Sequence, residues 1–469
     1  NRLANIAAEG ASGKTVTFVN DVFAVNSSVA GTGSVTYSGN LSGGSASTLN
    51  FASDGRVDVA NGKNLDVTQI TTSTQDTGSI VFAGSSTISA SGTSVGSSVR
   101  SLKNIDINGG IVTLDTDSTG YFVSSTNVNS GGTLKFESAE SLTGAINIAS
   151  SGTVDLGSVT TTLTGAFTAA SGSTVKTTIT NATTAGNVAL TGSVGGIDTG
   201  SVINVTVAGY IPNGTAYTII NGTTGTPGVS TSVTDSSPTL SFAASTATND
   251  VIITATRSFT GVATTANSTA VGDALGSFTA TGTLASAIAS LDNLSAAGVE
   301  TALQQLDPNV DGGINQAAFN VVNGSFGTID TRLDNARNGI NTGSGQMGMS
   351  TGDEYRDLAL WFQGFGAYSD QDDRNGIAGY TAGTLGGAGG MDWKTEENTR
   401  IGLSFSYGRS DVDINNSASA TDVDNYQGSL YGGYDAEHYY VSGIAAFGWN
   451  QYDGARSIQF GTVDNTAAS

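Results

Sequence analysis

Short stretches in which apolar and polar residues alternate fill the first 257 positions of the chain. Val202-Ile203-Asn204-Val205-Thr206-Val207 and Val251-Ile252-Ile253-Thr254-Ala255 are of this kind. Period-two alternation closed by Gly, Ser, Asn or Asp reads as a β-strand followed by a turn. The segments also recur. Ser130-Gly131-Gly132-Thr133-Leu134 is echoed by Ser151-Gly152-Thr153-Val154 and by Ser171-Gly172-Ser173-Thr174-Val175, so Leu134, Val154 and Val175 are spaced by 20 and 21 residues. Val35, Val57 and Ile80 are spaced by 22 and 23. A drifting period of this length is one coil of a solenoid. A single coil cannot bury its inner face. Coils stacked about 4.8 Å apart bury a ladder of Val, Ile and Leu between neighbours. The expectation is a right-handed parallel β-helix over roughly residues 10–257, of about twelve coils and on the order of 60 Å long. Val154 and Val175 should point inward in register. A β-sandwich array is the rival reading, and it would carry longer strands and more aromatics. A Ser/Thr-rich linker would not keep such apolar triplets.

The period then changes. Leu284, Ile288, Leu291 and Leu294 recur at helical spacing, Ala302, Leu303 and Leu306 continue the run, and Leu306-Asp307-Pro308 stops it. A second helical run takes in Ile314, Ala317, Ala318, Val321, Val322, Phe326, Ile329 and Leu333. Asn338-Gly339 closes it with residues that tolerate left-handed geometry. A helix over residues 313–338 is expected, associated with the inner face of whatever follows.

Beyond residue 351 the alternation returns with aromatics in it. From Arg400 to Gly408, Ile401, Leu403, Phe405 and Tyr407 take one face, and Gly402, Ser404, Ser406 and Gly408 the other. From Tyr439 to Asn450, the face of Tyr439, Val441, Ala445, Phe447 and Trp449 opposes Ser442, Gly448 and Asn450. From Asp424 to Asp435, Tyr426, Leu430 and Tyr434 oppose Asn425, Gln427, Ser429 and Tyr431. An apolar face ending in aromatics, over a small or polar one, is the pattern of a strand crossing a membrane in a β-barrel. Segments of about ten residues fit a tilted crossing. Asp435-Ala436-Glu437-His438 reads as a tight turn, and Asp370–Gly376 and Asp411–Asp422 as polar connections, the second long. A soluble sheet with one wet face is the competing reading.

Composition sharpens the division. Of the first 250 residues, 81 are Ser or Thr, whereas residues 351–469 hold all three Trp: Trp361, Trp393 and Trp449. The expected domains are a β-helical solenoid at 1–257, a helical connector at 258–350 and barrel strands at 351–469. With 17 basic against 39 acidic residues, the net charge of −22 argues against a nucleic-acid partner. The chain has no cysteine and one histidine, which removes zinc-thiolate and two-histidine metal sites. No cofactor is expected. The calcium-binding Gly-Gly-x-Gly-x-Asp repeat is not present. No run of 18 apolar residues marks a transmembrane helix. The chain opens without an initiator Met or a signal segment, so both ends are read as cut.

The order of solenoid, helical connector and aromatic barrel resembles the classical (type V secretion) autotransporters. Trp361-Phe362-Gln363-Gly364-Phe365-Gly366-Ala367-Tyr368 is similar to that family's opening barrel strand. Thr399 to Val412 resembles its third strand. Tyr210 to Ile220 is similar to a coil near the end of the passenger, and Asn249 to Arg257 to its final strand. The resemblance implies an all-β fold: a parallel β-helix passenger, a short α-helical connector, then antiparallel transmembrane β-barrel strands. Five strands, and the start of a sixth near Arg456–Val463, are legible. The family's last strand ends in an aromatic, whereas this chain ends Ala467-Ala468-Ser469, so an incomplete barrel is expected. The implied function is an outer-membrane protein whose barrel translocates and anchors a surface passenger. The implied partners are outer-membrane lipid, the outer-membrane assembly machinery, and a ligand on a host or neighbouring cell. The lipid-facing positions are then Ile401, Leu403, Phe405, Tyr407, Phe447 and Trp449, and the lumen-facing ones Gly402, Ser404, Ser406, Gln427 and Ser429.

Some passengers of that family are enzymes. A serine nucleophile needs a base, and residues 1–437 contain no histidine. His438 sits in the tight turn beside Glu437. Asp54, Asp58, Asp66, Asp106, Asp115, Asp117 and Asp155 are scattered among turns rather than paired for glycoside hydrolysis. No catalytic residue is assigned, and a non-enzymatic, adhesin-like passenger is expected. The alternative is a protease or esterase domain upstream of residue 1. Some family members cleave themselves at an Asn-Asn pair in the connector helix. Here Asn335-Ala336 and Asn338-Gly339 occupy that region, and Asn415-Asn416 falls in a barrel loop.

Overall fold

The computed structural model describes residues 3–9, 11–90, 94–116, 120–191, 195–222, 232–307, 312–339, 348–351, 358–374, 377–415 and 419–468. They form two compact units, Asn1–Val262 with Gly272–Val299, and Ala263–Val271 with Glu300–Ser469. Pro308, Gly376 and Asn416, which the sequence assigned to a helix stop and two loops, lie outside the described residues.

Through most of the first unit each short strand pairs in parallel with the strand one coil later. Val16 lies beside Val35, Val35 beside Val57, Val57 beside Ile80 and Ile80 beside Ile105. A second ladder runs from Val112 through Leu134 and Val154 to Val175. Val154 and Val175 are stacked in register and fully buried. Their neighbours in sequence face water, as in the Arg56–Val59 strand, where exposed and half-buried positions alternate with buried ones. Each Val, Leu or Ile taken inside contributes roughly 1.5–3 kcal/mol, and the ladder repeats that gain coil after coil.

The turns are tied by side chains. Asn40 N–H donates to Asp21 Oδ1 at 2.7 Å, Asn64 N–H to Asn40 Oδ1 at 3.0 Å, and Thr87 N–H to Asn64 Oδ1 at 2.9 Å. Each turn thus satisfies a backbone donor of the next coil, which a bare turn would leave to water.

The solenoid holds fewer coils than the twelve expected, because the period lengthens toward its end. Val175 pairs with Ile203 and Ile203 with Val233, 28 and 30 residues on. The parallel β-helix also stops before residue 257. The last strand, Asp250–Arg257, pairs antiparallel with Leu240–Ala247 and with Ala216–Asn221. Antiparallel pairing needs only a tight turn, and Thr248, at φ 55°, takes the left-handed corner between the first two.

Among the described residues four helices follow: α1 (Ala266–Gly276), α2 (Gly282–Asp292), α3 (Ala296–Leu306) and α4 (Gly313–Arg337). The run read as one helix from Leu284 to Leu306 is two, broken at Asn293. The Asn293 backbone N–H bonds back to Ser290 and Leu291 instead of continuing the ladder. Helix α1, Ala266-Asn-Ser-Thr-Ala-Val-Gly-Asp-Ala-Leu-Gly276, has too few apolar residues to show a period, and the sequence reading missed it.

The second unit holds an antiparallel sheet with strands paired in sequence order: β1 (Gly348–Thr351), β2 (Leu358–Gln371), β3 (Tyr380–Glu396), β4 (Thr399–Ile414), β5 (Ser419–Asp435), β6 (Tyr440–Phe460) and β7 (Val463–Ala468). The long strands run well past ten residues. Asp411–Asp422 is not a long loop. Pairing continues through Asp411↔Asp422 to Asp413↔Ala420, because Val412 and Ile414 keep the alternation and are buried. The further strand expected near Arg456–Val463 is β7, which starts at Val463; Arg456–Phe460 still belongs to β6, before the hairpin between them.

Two outcomes are expected for the solenoid. Phe136, 1% exposed, fills the core beside Leu114. Phe136→Ala should cost about 3–5 kcal/mol, read as a lowered denaturant midpoint, while the outward Lys176→Ala should stay within about 0.5 kcal/mol. On the surface, Asp76 accepts a hydrogen bond from Ser101 Oγ at 2.5 Å and another from Ser124. These donors, Ser101 foremost, hold its carboxyl below the ordinary 3.8. The stabilisation is therefore present above the unfolded-state value and is lost as pH falls through the lower folded one. NMR titration should find Asp76 below 3.8, and rising in Ser101→Ala.

Candidate functional site

The sheet has two unlike faces. On β4 the alternation is unbroken from Ile401 to Ile414, exposed then buried at every step. Ile401, Leu403, Phe405 and Tyr407 are exposed, and so are Phe447 and Trp449 on β6. Ser404, Ser406, Gln427 and Ser429 are buried on the opposite face, and Gly402 is buried with them. On these rows the solenoid's arrangement is inverted: Ile401, Leu403, Phe405 and Tyr407 are outside and the small or polar Gly402, Ser404 and Ser406 inside.

Helix α4 covers that inner face. Ala317 packs with Tyr380, Ala382, Val412 and Val423 at one end of the strands. Ile329 and Leu333 pack with Trp361, Ala388 and Tyr431 further along. The 25-residue helix is about 37 Å long. Its approach is close because glycine makes room. A Cβ on Gly408 would meet Val321 Cγ1 at 2.8 Å. Phe365 is held between two glycines: a Cβ on Gly324 of α4 would meet its ring at 2.4 Å, and one on Gly386 of β3 at 2.3 Å.

Polar contacts fix the helix along its length. Asn320 Nδ2 donates to Ser369 Oγ at 3.0 Å, and Gln427 Nε2 to Ser325 Oγ at 3.0 Å. Deeper lies a charged cluster. Asp392, fully buried on β3, accepts from Arg332 Nε at 2.7 Å and Nη2 at 3.2 Å. Arg400 Nη1 also reaches Asp392. Tyr431 O–H donates to Asp392 Oδ2 at 3.1 Å and accepts from Trp361 Nε1 at 2.6 Å. A buried ion pair is strong support only when its other hydrogen-bonding positions are filled, and here Tyr431 and the second arginine fill them. At the helix end, Arg337 Nε donates to Asp435 Oδ1 at 2.8 Å and its guanidinium lies 3.6 Å from the Tyr440 ring centroid.

The sequence reading missed this cluster. Tyr431 was placed on the inner face, but Asp392 and Arg332 were not singled out. The available signal was parity: Asp392 shares the face of Ala382, Thr384 and Ala388. Asn335 is half-buried in the last turn of α4, and Asn338 is its exposed C-cap, whose backbone N–H bonds to Asp334 and Ala336 carbonyls. His438 is exposed in the turn between β5 and β6, where Ala436 N–H bonds to Tyr439 O at 2.8 Å.

The cluster gives a direct expectation. Asp392→Ala removes the buried carboxylate that Arg332, Arg400 and Tyr431 share and should cost about 3–5 kcal/mol. The check is the denaturant midpoint of the folded sheet in detergent. The exposed Asp453→Ala should leave it within about 0.5 kcal/mol.

Residues 360–469 match the family model described as "Autotransporter beta-domain". A stretch of 140 residues is 29% identical to "Outer membrane protein B" of Rickettsia prowazekii (strain Madrid E), covering 29% of this chain and 8% of that protein. Over 143 residues the chain is also 27% identical to "Outer membrane protein A" of Rickettsia rickettsii, covering 29% of this chain and 6% of that protein. The matched stretches thus span less than a tenth of either relative. With a sheet whose large apolar rows point outward and a β-solenoid ahead of it in the chain, the match identifies residues 360–469 as an autotransporter β-domain and supports an outer-membrane location with the solenoid exposed at the surface.

Proposed function

We propose that the C-terminal sheet is the part of the barrel that carries the solenoid to the cell surface and anchors it, with α4 lying in the lumen. The passenger acts as a non-enzymatic, adhesin-like surface protein toward a host or neighbouring cell. The observation that carries the translocator reading is the inverted sheet, with α4 on its small, polar face. In hydrocarbon a strand must point its large apolar residues outward and satisfy its backbone by pairing.

The outer face is banded as that reading requires. Tyr407, Tyr426 and Trp449 lie in register across β4, β5 and β6, with ring centroids 5.2 and 5.4 Å apart. Beyond them come Arg409, Asp424 and Gln451, then Asp411, Asp422 and Asp453. In the other direction come Phe405, Leu403, Leu430 and Phe447, then Tyr434 and Tyr439. From Tyr426 to Tyr434 is about 27 Å along the strand, close to an apolar band about 25 Å tall once tilt and ring size are counted. Short turns mark the periplasmic side of such barrels. The turn at Ala436–Tyr439 therefore faces the periplasm, and the N-terminal end of α4 lies at the opposite, outward end of the strands.

Insertion of such strands requires the outer-membrane assembly machinery as partner, and outer-membrane lipid surrounds them. For the passenger, the polar outer rows of the solenoid support a binding role. A histidine-dependent triad has no base among residues 1–437. The assignment of Ile401, Leu403, Phe405, Tyr407, Phe447 and Trp449 to lipid, and of Gly402, Ser404, Ser406, Gln427 and Ser429 to the lumen, is part of this proposal.

The test places one arginine on each face of the full-length protein. Leu403→Arg costs roughly 2–4 kcal/mol at mid-membrane, whereas the lumen is wet and tolerant. Leu403→Arg should abolish surface display, and Ser404→Arg should reduce it far less. Equal tolerance would overturn the register. Because a soluble core would also reject Leu403→Arg, the wild-type protein is fractionated as well. Recovery without detergent would remove the barrel.

A further inference from the structure

Three separated segments at the end of the solenoid converge on helix α2. Arg257, the last residue of the final strand, points its guanidinium at Asp292, the last residue of α2. Nη2 donates to Asp292 Oδ2 at 2.8 Å, Nη1 reaches Asp292 Oδ1, and both side chains are at most 1% exposed. Thr239 Oγ1 donates to the same carboxylate at 2.5 Å. Arg257 Nη2 also donates to the carbonyl of Ile211 at 2.8 Å, and the guanidinium lies 5.5 Å from the Tyr210 ring centroid. Tyr210 holds the other end of the helix: its hydroxyl accepts from the Ala280 backbone N–H at 2.9 Å. Ile288 and Leu291 are buried, while Thr283, Leu284 and Ser286 face out.

A solenoid must close its open end, because the last coil otherwise shows its apolar core to water. A short helix of low intrinsic stability is suited to that only if tertiary contacts hold it. The ion pair is buried, so salt screens it far less than a surface pair, and removing either partner alone leaves an uncompensated buried charge. We propose that α2 is the C-terminal cap of the passenger, locked by Arg257–Asp292. The folded, displayed body then ends after Asp292, not at the last strand, although the sequence places α2 in the connector.

The chain supplies its own reporter. Residues 258–331 contain neither Lys nor Arg, so cleavage of the folded chain after Arg257 is read without interference as the appearance of a new N-terminus at Ser258. The experiment uses the full chain folded in detergent. Amide hydrogen exchange is followed in residues 282–292, with residues 102–179 as the distant reference. In wild type, Arg257 should resist trypsin and α2 should be protected. Asp292→Asn should speed exchange in 282–292 and cleavage after Arg257 at least tenfold, with 102–179 unchanged. The double variant Arg257→Met with Asp292→Leu, which replaces the pair by apolar side chains of similar size, should restore protection of α2. Rates in Asp292→Asn within twofold of wild type would overturn the lock. Equal acceleration in 102–179 would overturn the cap, because the pair would then hold the whole solenoid. If Asp292→Asn does not fold, the double variant decides: a folded chain with α2 unprotected overturns the proposal, and so does a double variant that also fails to fold.

Discussion

A β-strand sends successive side chains to opposite faces, and both halves of this protein are built on that alternation, in opposite senses. In the solenoid the apolar residues turn inward, and Val35, Val57, Ile80 and Ile105 stack from coil to coil beneath a polar surface. In the C-terminal sheet Leu403 and Phe405 turn outward, and Ser404, Ser406 and Gln427 turn inward. The backbone is satisfied by pairing in both. The first arrangement is the one that water outside favours, and the second is the one that a hydrocarbon surround would favour. A one-residue slip in either would put every side chain on the wrong face.

Charge is sparse, 12% of residues, and two of the buried pairs attach helices to β-structure. Arg332–Asp392 holds α4 against the sheet, and Arg257–Asp292 holds α2 at the end of the solenoid. The two helices lack strong amphipathic stripes. α4 buries Ala317, Val321, Ile329 and Leu333, but also Asn320, Ser325 and Thr328. A helix so short of apolar surface gains too little from burial to fix its register. A charge pair with its hydrogen-bonding positions filled adds a contact that fails if the helix shifts by one residue.

The alternation, the repeat spacing and the aromatic segments were legible in the sequence because they are local and periodic. They determined the parallel solenoid, with Val154 over Val175, the helix at Gly313–Arg337, and the two faces of β4 from Ile401 to Gly408. Tertiary structure decided the rest. The lengthened coils at Ile203 and Val233 depend on where long loops are tolerated, not on any period. Helix α1 and the break at Asn293 rest on contacts rather than on propensity. The Asp411–Asp422 segment looked like a loop because it is acidic, and became strand because Val412 and Ile414 face inward against their neighbours. The charged cluster joins Arg332, Trp361, Asp392, Arg400 and Tyr431, and the cap joins Tyr210, Thr239, Arg257 and Asp292. Such pairings between distant residues leave no periodic trace, since a single acid in a strand reads the same whether it meets water or an arginine 60 positions away.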